Sequence, residues 1–200
     1  PQTSSRSWTP RGHDHGPITT GGGADCMFDY LSSPCWAVEV AAGRGTEGQI
    51  FTSLTGCTFR IYSTVSGAVT HANANRQTDG QSTAFYICGG TYTLTASPAP
   101  NAPSNGSYHF FGAGQSRTII VAGANSITLM DFAGVTGESM GTWRNIKFDA
   151  STFTGVTLIS LAAAVRAVIS ECWFDTGSSG TALVPGQGSS GVAITNCLFT

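Results

Sequence analysis

One short pattern comes round three times in roughly the last sixty residues, and it constrains the fold more than any other feature. It reads Arg144-Asn145-Ile146-Lys147-Phe148-Asp149, then Ser170-Glu171-Cys172-Trp173-Phe174-Asp175, then Thr195-Asn196-Cys197-Leu198-Phe199-Thr200. Phe148 and Phe174 stand 26 residues apart, and Phe174 and Phe199 stand 25 apart. A β-rich recurrence of this length is the mark of a solenoid. It is too short for a propeller blade and too β-branched for a paired-helix repeat. It suits one coil of a parallel β-helix, in which the chain turns corners between short strands and returns one strand spacing further on, about 4.8 Å. The pattern therefore predicts an all-β solenoid. It also predicts a core in which Phe148, Phe174 and Phe199 form one buried stack, with Ile146, Ile169 and Ile194 on matching coils.

Composition narrows the class. Two hundred residues are enough for one domain with a real core. Only 10% are charged and the formal net charge is −2, far below the usual charged share. Such a chain is neither a polyanion binder nor a disordered acidic tail, and no basic run points to nucleic acid. The apolar residues are scattered in short runs, whereas a membrane-spanning helix needs about 20 together, so membrane insertion is not expected. Low charge with abundant glycine and hydroxyls fits an extracellular or cell-surface protein. Pro1 in place of an initiator methionine implies a matured chain or part of a longer one. Thr200 closes the third copy of the pattern, so the last coil is expected to be uncovered. An uncovered solenoid end exposes a strand edge and apolar core, so either the chain continues there or another molecule docks.

The six cysteines are Cys26, Cys35, Cys57, Cys88, Cys172 and Cys197. None lies in a zinc-like spacing with histidine, so no resident metal is expected, and nothing calls for a cofactor. Cys172 and Cys197 sit two residues before the recurring phenylalanine and share its face, which predicts buried free thiols. Disulfides are expected instead among Cys26, Cys35, Cys57 and Cys88 in an oxidising compartment. Asn105-Gly106-Ser107 is a glycosylation triplet in a turn-like stretch.

Along the chain, residues 1–25 read as an extended N-terminal arm suited to packing on a neighbouring subunit. They include His13-Asp14-His15, a poor metal site on such an arm. Residues 26–82 read as an irregular cap with one helix near 64–75. There Val65, Ala68, Val69 and Ala72 fall on one helical face, with Ser63 or Thr64 able to cap it and Gly80 beyond its end. Residues 83–200 read as β-helix coils, open at the C-terminal end.

A capping helix, a strand ending in Gly90-Thr91-Tyr92 and a strand running into Gly112-Ala113-Gly114-Gln115-Ser116-Arg117-Thr118-Ile119-Ile120 together resemble the start of pectate-lyase-like right-handed parallel β-helix proteins. The resemblance covers roughly residues 61–200. The later Ile-x-x-Cys-x-Phe coils also resemble repeats of polymorphic outer-membrane and related surface proteins. The resemblance implies a right-handed, single-stranded parallel β-helix more strongly than any activity, since the superfamily holds lyases, hydrolases, tailspikes, adhesins and inert fibres.

Lyases of that superfamily use aspartates for calcium and a basic residue as proton acceptor, and its hydrolases use clustered aspartates as acid and base. The candidates here are Asp149 and Asp175, equivalent positions one coil apart, with Arg144 and Lys147 beside them. Stacked carboxylates about 5 Å apart could share calcium or a proton. The third copy has Thr200 at that slot, and aspartate is ordinary in a solvated turn. The paired-aspartate, His-Gly and Arg-x-Lys signatures of the pectin hydrolases are absent, two residues separating Arg144 from Lys147. His71 and His109 read as structural. The leading expectation is a structural subunit of an extracellular or cell-surface fibre, spike or appendage, self-associating as a homo-oligomer or filament through the open end and the arm. The competing readings are a lyase or hydrolase acting on an acidic polysaccharide, and a glycan-binding tailspike or adhesin.

Overall fold

The computed structural model describes residues 36–40, 50–52, 58–76, 83–99, 107–132, 139–161, 165–186 and 191–200. They begin with strands β1 (Trp36–Val40), β2 (Ile50–Thr52) and β3 (Thr58–Tyr62), helix α1 (Val65–Arg76), β4 (Thr83–Ile87) and β5 (Gly90–Leu94). Two coils of three strands follow: β6 (Ser107–Gly112), β7 (Thr118–Ala122) and β8 (Thr128–Phe132), then β9 (Ser139–Arg144), β10 (Lys147–Asp149) and β11 (Thr157–Leu161). A third holds β12 (Val165–Ser170), β13 (Trp173–Asp175) and β14 (Thr181–Val184), before β15 (Val192–Thr195) and β16 (Leu198–Phe199).

Corresponding strands of successive coils pair side by side. One sheet has the order β15-β12-β9-β6-β4-β1-β3-β2, a second β16-β13-β10-β7-β5, and a third β14-β11-β8. The result is a β-solenoid of about four turns with, among the described residues, a single short helix. Among the described residues every strand pair is parallel except β2 with β3, where Ile50 faces Arg60. β1 and β3, from the stretch expected as an irregular cap, lie in register in the eight-stranded sheet, Ala37 opposite both Phe59 and Ala84.

The period sets what is stacked on what. Phe148 pairs with Phe174 and Phe174 with Phe199, and the rings lie nearly parallel with centroids 5.4 and 5.0 Å apart. Phe148 and Phe174 are buried, whereas Phe199 is 51% exposed; among the described residues β16 is the edge strand of its sheet, paired only with β13. The isoleucine expectation needs a correction. Ile169 pairs with Trp143 and with Ile194, whereas Ile146 stands one residue before the Lys147–Trp173 pair and so aligns with Cys172. Ile169 and Ile194 therefore share one inward column and Ile146 belongs to another. The first runs Phe85, Phe110, Trp143, Ile169 and Ile194, and its aromatic rings stack face to face, Phe85 on Phe110 at 4.5 Å and Phe110 on Trp143 at 6.1 Å. At Gly141 a side chain would run into the Trp143 indole, so the glycine makes room for the largest ring of the core.

The corner between the two larger sheets has its own recurring device. Asn145, Glu171 and Asn196, the second residue of each copy of the pattern, have φ of 59°, 53° and 52°. This left-handed conformation suits asparagine better than most side chains. It turns the chain while its amide stays bonded between coils: Asn145 N donates to Ser170 O at 3.3 Å and Glu171 N to Thr195 O at 3.0 Å. Helix α1 packs on β1, β3, β4 and β5. Its predicted apolar face, Val65, Ala68, Val69 and Ala72, is buried, and Thr64 caps it, Oγ1 accepting from Gly67 N at 3.0 Å.

Candidate functional site

The strand alternation of β10 and β13 puts Lys147, Asp149, Trp173 and Asp175 on the outer face of the five-stranded sheet, with Phe148 and Phe174 turned inward. Register places Asp149 beside Asp175 and Lys147 beside Trp173. The lysine sits on the diagonal and serves both acids: Nζ is 2.8 Å from Asp149 Oδ2 and 3.4 Å from Asp175 Oδ2. It also lies 4.2 Å from the centroid of the Trp173 ring, a cation–π contact. The three charged side chains are largely covered, with exposures of 14%, 19% and 21%. The other oxygen of Asp149 accepts from Ser151 N at 3.0 Å and Ser151 Oγ at 2.6 Å. In the third copy Thr200 takes the slot, its Oγ1 accepting from Trp173 Nε1 at 3.0 Å.

This arrangement answers the chemical question. Burial works to raise the Asp149 pKa, but the hydrogen bonds from Lys147 and Ser151 and the lysine charge outweigh it and hold the carboxyl below its ordinary range. Burial likewise works against the Lys147 charge, and the hydrogen bonds and charges of Asp149 and Asp175 overcome it, raising its pKa. Near neutral pH Asp149 is an ionised carboxylate with both oxygens engaged, and Lys147 a protonated amine. One is a poor general acid and the other a poor general base. The place between the stacked carboxylates, where calcium would bridge, holds the ammonium. Among the described residues no group of three or more His, Cys, Asp and Glu side chains is placed to hold a metal ion.

Arg144 does not join this cluster. It lies at the end of β9 in a different sheet, and the left-handed Asn145 stands between it and β10. Its Nε instead meets Glu171 Oε2 at 2.9 Å in an exposed pair, and that hydrogen bond raises its pKa. Of the four candidates, three are brought together and the fourth is spent elsewhere. The lysine's double role was missed, although the signal was in the sequence: Lys147 and Asp149 are two apart on one strand, and Asp175 lies 26 residues beyond Asp149.

His109 lies on the outer face of the eight-stranded sheet, Nδ1 at 3.0 Å from Thr142 Oγ1 and its ring 6.2 Å from that of Phe111. Burial lowers its pKa, which favours the neutral imidazole. Phe111 also stacks on Tyr86 at 5.5 Å, and burial pushes the Tyr86 phenol up to about 12. On α1, His71 packs 5.3 Å from the Tyr62 ring. Cys172 is buried, Cys197 half-buried, and both are free thiols. Burial first, with Cys197 nearby, pushes Cys172 up to about 12, so the thiol is unreactive. Cys88 is buried at the end of β4. Cys26, Cys35, Cys57, Asn105 and His13-Asp14-His15 lie outside the described residues. No helix among the described residues is long and apolar enough to cross a membrane. Comparison with protein-family models, with curated proteins and with solved structures returns no match.

Proposed function

We propose that the chain is a structural unit of an extracellular or cell-surface fibre, spike or appendage, built on a right-handed, pectate-lyase-like parallel β-helix. The observation that carries this reading is the Lys147 bridge. A coil surface whose best acid pair is neutralised by its own lysine, and tied down by Ser151, is built to hold coils together. Stacked aromatic columns running from coil to coil serve the same end. The partner is a further subunit of the same assembly, taken up on the face of β15 and β16 where Ile194, Leu198 and Phe199 are 43%, 48% and 51% exposed.

Sedimentation velocity and electron microscopy of the purified protein test this reading. End-to-end assemblies that Phe199→Glu disperses are the expected result. Compact monomers at every concentration would overturn it. So would calcium-dependent release of unsaturated uronate, read by ultraviolet absorbance, that disappears when Asp149 and Asp175 are both changed to asparagine.

A further inference from the structure

We draw no further inference here: the strongest candidate, the apolar end face of the solenoid formed by Ile194, Leu198 and Phe199 on β15 and β16, carries nothing beyond the proposed assembly because nothing in the structure shows what covers it.

Discussion

At Asp149 two influences oppose each other: burial favours the neutral acid, while Lys147 and Ser151 favour the anion and prevail. A carboxylate depressed in this way contributes stability above the unfolded pKa of about 3.9, and that contribution is lost as pH falls through the lower folded value. The raised lysine contributes below its unfolded value and loses that contribution only as pH climbs through its folded value. Both contributions are therefore present at neutral pH. Lys147→Met leaves Asp149 and Asp175 side by side with no counter-charge, so it should lower the melting temperature clearly at pH 7. The difference from the parent should shrink at about pH 2.5, where the carboxyls are protonated. Equal losses at both pH values would mean that the lysine acts through its aliphatic stem alone. In the core, Phe174 is sandwiched between Phe148 and Phe199 at 5.4 and 5.0 Å. Phe174→Ala should cost about 3–5 kcal/mol in denaturant melts, because it opens a cavity between two flanking rings. A loss below about 1 kcal/mol would mean that the stack adds little to the core.

The element that most controls the path of the chain is the left-handed corner at Asn145, Glu171 and Asn196. Asn145→Val should cost about 1–2 kcal/mol, since a β-branched residue is strained there, while Asn145→Gly should fold at least as well. Similar losses for both would place the contribution in the asparagine side chain rather than in the backbone angle. How far the elements were legible follows from their periods. The larger sheets bury alternate residues, as in Thr83–Ile87 and Thr118–Ala122, so apolar alternation and the 26-residue spacing exposed the solenoid and the phenylalanine column. In the third sheet β8 and β11 each bury two residues in succession, Leu129-Met130 and Leu158-Ile159, which breaks the period of two. The isoleucines were misaligned for a related reason. Ile146 and Ile169 are both inward and β-branched, but they lie on opposite sides of a left-handed corner that apolar pattern alone does not reveal. The Lys147 cluster was half legible. Its residues were named from spacing, but the diagonal reach of the lysine and the diversion of Arg144 to Glu171 depend on side-chain geometry across two sheets.

Across the whole molecule each coil touches mainly the coils before and after it, so stability is close to a sum of coil terms and neighbour terms. The half-exposed β15 and β16 have a neighbour on one side only, whereas β9 and β10 are covered on both. Native-state amide exchange should therefore be fastest in β15 and β16 and slowest through β9 and β10. Uniform protection from end to end would mean that the solenoid opens as a single block. The same stacking has a mechanical side. Tension applied along the chain from its C-terminal end would peel one turn from the next, breaking the hydrogen bonds of a ladder in sequence rather than shearing all of them together. Each detached turn would release about 26 residues, or roughly 90 Å of contour. Such a rod yields in even steps and dissipates work at each one, in the manner of a ratchet paid out one tooth at a time.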